Sequence, residues 1–233
     1  MGATGAYIPK PGTKAARAIR REPIKGNINE WENSLRRGDI ELDREHAALY
    51  DKDGKPIVGF QGDRHSVAIG KEINNPDGVT MTHYHPDKSF GGTLSMQDIR
   101  VFATTPIREI RAVSGQGQLY SLKAGPNVDR AGLAKWVQSN QKLAQKNFNN
   151  SYKSALKQAT TPLKSGPHKG QIKLTNRVTG KVTYREPMTK QQAINYARTY
   201  SVGMFDRMYG KALSRYGVTY TATKAGRNSE KRK

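Results

Sequence analysis

The sequence predicts an α+β fold: a small mixed sheet with helices, followed by a basic, mainly helical region. Three observations carry that expectation. Short β-branched or aromatic runs alternate with turn sequences such as Asp51-Lys52-Asp53-Gly54 and Asn75-Pro76-Asp77-Gly78. A helix opened by Ser95 interrupts those runs, so strands and helices mix within one module. Past Gly125-Pro126 the chain turns polar, and its apolar residues thin to a stripe at helical spacing.

Residues 1–26 are rich in Gly, Pro, Lys and Arg with little apolar periodicity, which predicts a flexible basic arm. Trp31 and Leu35, four apart and followed by Gly38, predict a helix over 29–37. His46-Ala47-Ala48-Leu49-Tyr50 and Pro56-Ile57-Val58-Gly59-Phe60 flank a turn and predict two strands, with Val67-Ala68-Ile69 a third. Val79-Thr80-Met81-Thr82-His83 predicts a buried strand. Ser95 opens a helix to Thr104, and 109–113 with 118–122 form a hairpin across Ser114-Gly115-Gln116-Gly117. Residues 131–160 predict a long helix. Segments 171–174 and 181–184 predict a small hairpin around Thr179-Gly180. Thr189-Lys190-Gln191-Gln192 is a capping box opening a helix to Tyr216, capped by Gly217. On that helix Gly203 and Gly210 offer a site of close backbone approach, and Phe205, Tyr209 and Tyr216 share a packing stripe with Met208, Ala212 and Leu213. The resulting division is an arm over 1–26, an α+β domain over 27–125, a basic helical region over 126–222 and a disordered charged tail over 223–233.

The charge is segregated. Residues 27–130 hold 13 basic and 15 acidic residues, a net −2, whereas 131–233 hold 21 basic and 3 acidic, a net +18. Segregation of this size points to a polyanion, most simply nucleic acid. Lys142, Lys146, Lys153, Lys157, Lys164 and Lys169 are the expected phosphate contacts. No run of 18 apolar residues occurs, so no membrane span is expected, and the first residues hold no signal-peptide core. Cys is absent, which excludes disulfides and thiolate metal sites.

The chemistry concentrates in Thr82-His83-Tyr84-His85-Pro86 and Ser95-Met96-Gln97-Asp98. Two histidines two apart on a strand point to one face, and a downstream aspartate can close a metal site with them. Ser95-x-x-Asp98 is equally a helix capping box, so Asp98 has two competing uses. His46 would face away from Glu45, and neither it nor His65 is expected as a ligand. A divalent ion here could also serve phosphodiester hydrolysis, but no phosphate-binding glycine loop accompanies it.

His83-Tyr84-His85-Pro86 followed by Ser95-x-x-Asp98 resembles the signature of JAB/MPN metalloproteases and the related RadC family. The wider run from Glu45 to Leu122 is closer still to a domain at the C-terminal end of minor head or head-morphogenesis proteins of tailed bacteriophages. The resemblance spans roughly residues 43–124. It implies a zinc-dependent hydrolase of peptide or isopeptide bonds. His83, His85 and Asp98 would hold zinc, Glu45 would be the general base, and Ser95 would support the oxyanion. Glu41 and Glu72 remain alternative bases. The eight residues between Pro86 and Ser95 exceed the usual gap, so the loop over 87–92 governs whether Asp98 reaches the histidines. The implied setting is the host cytoplasm, the virion or both. Partners would be nucleic acid, DNA rather than RNA, with other virion proteins or a host protein. A non-enzymatic virion or head-associated DNA-binding protein, or a small factor that inhibits a host protein, is the alternative.

Overall fold

The structure, a computed structural model, describes residues 5–40, 43–86, 93–115, 117–175 and 181–223. It is α+β, with a mixed sheet and several helices. Two compact units result, Met1–Asn140 with Tyr209–Lys233, and Gln141–Met208.

In the first unit, β1 (Gly5–Tyr7), α1 (Lys14–Arg17), β2 (Arg20–Glu22) and α2 (Ile28–Arg37) precede β3 (His46–Tyr50), β4 (Pro56–Gln61) and β5 (Ser66–Ala68). Then come β6 (Thr80–His85), α3 (Met96–Thr104), β7 (Glu109–Ser114), β8 (Leu119–Ala124) and the start of α4 (Arg130–Thr160). The last strand, β11 (Val218–Thr223), returns to the same sheet. The seven-stranded order is β11-β8-β7-β6-β3-β4-β2, with β6 and β7 parallel and the other neighbours antiparallel. Parallel neighbours need a crossover, and α3 supplies it. A crossover helix runs back along the sheet, so the first turn of α3 stands at the carboxyl end of β6, where His83 and His85 lie.

Residues alternate between the two faces of the sheet. One face carries Ala48, Tyr50, Tyr84 and Val113, packed against Trp31 and Leu35 of α2. Asn27 and Gly38 cap that helix, the latter in the left-handed region at φ 80°. Beside this cluster Glu32 is buried but satisfied: Thr82 Oγ1 donates to it at 2.9 Å and Arg111 Nη2 at 2.8 Å. The other face carries Ala47, Leu49, Met81, His83, Ile110 and Ala112, all fully buried. Full burial of each large aliphatic side chain contributes about 1.5–3 kcal/mol. Arg130 donates to the carbonyls of Phe102 and Ile107 and lies over the Phe102 ring, which satisfies the C-terminal end of α3.

The second unit holds the rest of α4, the hairpin of β9 (Ile172–Thr175) and β10 (Val182–Arg185), and most of α5 (Lys190–Ser214). Phe148, Ala155, Ala159, Ile172, Leu174, Ala193 and Ala197 form its buried side. Thr189 and Gln192 form the expected capping box of α5.

Several expectations need correction. Residues 1–26 are not an arm throughout: β1 pairs in parallel with β5, and β2 joins the edge of the main sheet against β4. Non-local backbone pairing supplies the stability that composition does not advertise. The boundary at 125–126 also fails, because the start of α4 and β11 belong to the first unit. Val218-Thr219-Tyr220-Thr221 has period-two alternation that the preceding helical pattern masked. Among the described residues nothing comes within 4 Å of a Cβ at Gly203, and at Gly210 only the Tyr220 ring does, so no described backbone packs closely on either glycine. Met208 is 48% exposed, outside the stripe that buries Tyr209 and Leu213. The Thr179-Gly180 turn, the loop over 87–92 and the tail over 224–233 lie outside the described residues.

Candidate metal centre

His83 and His85 leave the same face of β6. Ala47 stands opposite His83, and continuing that antiparallel register by two residues brings Glu45 opposite His85. On the other side, Ala112 and Ser114 of β7 align with the two histidines. Such small neighbours leave room above the strand for the first turn of α3, which delivers Asp98.

The three side chains converge. His83 Nε2 is 2.8 Å from His85 Nε2 and 3.1 Å from Asp98 Oδ1, and His85 Nε2 is 3.5 Å from Asp98 Oδ2. Two ligands each about 2.05 Å from a tetrahedral ion lie about 3.3 Å apart. The observed separations bracket that value, and the set of two imidazoles and a carboxylate suits a metal. His83, His85 and Asp98 together could hold a metal ion. His83 Nδ1 is buried and has no hydrogen-bond partner among the described residues, so the outer support usual for a ligating histidine is missing there.

Asp98 has both of the uses that competed in the sequence. It is the third helical residue after the Ser95 cap: Ser95 Oγ accepts its N–H at 3.1 Å, and its Oδ2 accepts the Ser95 N–H at 2.7 Å. Oδ1 accepts the Ala6 N–H at 2.8 Å. A carboxylate oxygen accepts more than one hydrogen bond, so both oxygens can also face the histidines. The capping box orients Asp98 toward the histidines rather than withdrawing it, and the eight-residue gap does not hold Asp98 out of their reach. Burial pushes the Asp98 carboxyl up. The charge and hydrogen bond of His83, then those of His85, outweigh that and hold it well below the carboxylate range.

Glu45 precedes β3 with its backbone tied to Asp63 and Gly62. It is fully buried, and neither carboxylate oxygen has a well-formed hydrogen bond among the described residues. The nearby Gly5 N–H acts on it only weakly, its own hydrogen bond going to the His65 carbonyl at 2.9 Å. Burial pushes the Glu45 carboxyl up to about 8, with His85 opposing and Asp98 adding to the rise. Buried Glu32 has side-chain partners on the far face; buried Glu45 has none that are well formed among the described residues and lies in the field of His85 and Asp98. That contrast separates a structural carboxylate from a candidate base. Glu72 pairs with Arg21 at 3.0 Å, and Glu41 lies outside the described residues. His46 bonds Glu22 at 3.1 Å, and His65 is exposed.

Gly5 and Ala6 were missed in the sequence. Gly5 has φ 103°, and a Cβ there would lie 2.5 Å from Ser95 Oγ and 2.6 Å from Asp98 Oδ1. Only glycine brings this backbone so close to the cluster. No sequence signal marked it, because the pairing partner, Ser66 of β5, lies far along the chain. None of His83, His85, Asp98 and Glu45 lines the cavity of about 460 Å³ bordered by Tyr7, Arg20, Arg44, Asp63 and Arg64.

The expected phosphate contacts are all exposed. Lys142, Lys146, Lys153 and Lys157 fall within an arc of about 60° on α4, at 100° per residue. Ala144, Phe148, Ala155 and Ala159 bury the opposite side. Lys164 and Lys169 lie in the loop before β9. Comparison of the chain with protein-family models, curated proteins and solved structures gives no match.

Proposed function

We propose that the chain is a zinc-dependent hydrolase of JAB/MPN type, acting on peptide or isopeptide bonds in a bacteriophage or prophage setting. The basic unit would bind nucleic acid. The observation that carries the hydrolase reading is the convergence of His83, His85 and Asp98 beside a buried Glu45 whose carboxylate has no well-formed hydrogen bond among the described residues. Zinc suits two imidazoles and one carboxylate with a position left over. Held there, it would supply Lewis acidity at the reacting carbonyl.

Glu45 takes a proton from the attacking water at a carboxylate oxygen and returns it to the leaving nitrogen as the C–N bond breaks. At neutral pH a carboxyl near 8 rests protonated, and a cation nearby draws it down to where it accepts a proton. Ser95 holds Asp98 through the cap, and its oxyanion role comes from the resemblance alone.

One observation favours a second reading. His83, Asp98 and Glu45 are fully buried and His85 is 4% exposed, which suits a structural ion in a non-enzymatic virion or DNA-associated protein, or in a host-binding factor. A linear peptide and a branched isopeptide reporter separate the two. Zinc-dependent cleavage, lost on chelation and restored by zinc, is expected. Zinc uptake with no cleavage of either reporter would leave the structural reading.

A further inference from the structure

We propose that the outward face of the β9–β10 hairpin is a stacking platform for unpaired nucleobases, so that the unit over 141–208 takes single-stranded nucleic acid in preference to duplex. This rests on the nucleic-acid reading above and narrows its ligand.

The burial of β9 alternates: Ile172 and Leu174 point inward, while Lys173 is exposed and Thr175 half-buried. The register sets Tyr184 opposite Lys173 and Val182 opposite Thr175, so these four share the outward face. Every residue of β10 is exposed, with Tyr184 at 39% and Val182 at 38%. Core packing therefore does not account for an aromatic residue here.

Tyr184 is stacked flat on His168, with ring centroids 3.7 Å apart and planes 9° from parallel. The loop that carries His168 is closed by its own backbone. Leu163 N–H donates to Gln171 at 2.8 Å, Gly170 N–H to Leu163 at 3.0 Å, and Gln171 N–H to His168 at 3.1 Å. His168 Nδ1 meets Gln171 Oε1 at 3.0 Å, which sets the ring plane. One ring face lies against His168, and Tyr184 is still 39% exposed. A base laid there extends an existing stack, and the rings are already ordered before it arrives.

The surroundings complement a nucleic-acid strand. The unit holds 13 basic and 2 acidic residues, and Lys164, Lys169 and Lys173 are exposed on the hairpin and its loop. Phosphates need only lysines; an exposed aromatic stack matters only when bases are unstacked.

Anisotropy of the full chain with a labelled oligothymidine of about 20 nucleotides and a duplex of equal length, at one salt concentration, tests this. Tighter binding of the single strand is expected. Tyr184→Ala should weaken it by about 5- to 100-fold while duplex binding changes less than about 2-fold. Tyr184→Phe, which keeps the ring, should bind as the wild type does. Tighter duplex binding, or an equal loss on both ligands, would overturn the platform. If both ligands bind and Tyr184→Ala alters neither, the platform alone falls. If neither binds, the nucleic-acid reading falls with it.

Discussion

Glu45→Gln is expected to keep the metal and lose hydrolysis by about 10²- to 10⁴-fold, the usual contribution of a general base. The change is nearly isosteric and leaves His83, His85 and Asp98 intact. The same substitution should make the metal-free protein more stable. The Glu45 carboxyl is raised from 4.5 to about 8, so between those values the folded chain holds a proton that the unfolded chain has released. Stability therefore falls as pH rises through that window, by up to several kcal/mol in order of magnitude. Gln does not titrate, so the variant should lack this decline and melt higher than wild type at pH 8. Denaturant melts from pH 5 to 8 on chelated protein read the slope. An identical slope in the variant would mean that Glu45 is not the buried proton holder, and unchanged hydrolysis would mean that it is not the base.

Replacing Lys142, Lys146, Lys153 and Lys157 together by Gln should weaken nucleic-acid binding on every sequence alike. With roughly six phosphate contacts, wild-type affinity should fall about 10³-fold between about 50 and 200 mM salt. Removing four lysines from one helix face should flatten the log–log salt slope by roughly 3 to 4. These lysines are exposed and stand opposite the buried side of α4, so the fold should not suffer. An unchanged slope would place the contacts elsewhere on the basic unit.

What the sequence revealed of the site was local. Ser95 as a cap, Asp98 at the third helical position and the two histidines on one strand face follow from spacing. Glu45 opposite His85 follows once the strands pair antiparallel. What stayed hidden depends on contacts between distant segments. The Ala6–Asp98 hydrogen bond joins residues 92 apart, and β1 is only three residues long, too short for a pattern. β11 follows a long helix, and its pairing with β8 cannot be read from helical periodicity. The competition between cap and ligand at Asp98 was also beyond the sequence, because its resolution rests on where each oxygen points. Likewise, the exposure of Tyr184 depends on which face of β9 is buried.

His83, His85 and Asp98 should behave as one metal site. Zinc content of the purified full chain by native mass spectrometry, after equilibration with zinc and removal of excess, tests it most directly. About one zinc per chain is expected, with most of it lost in His85→Ala and in His83→Ala while circular dichroism stays native. A wild-type chain that takes up no zinc, or histidine variants that bind as much as the wild type, would contradict it.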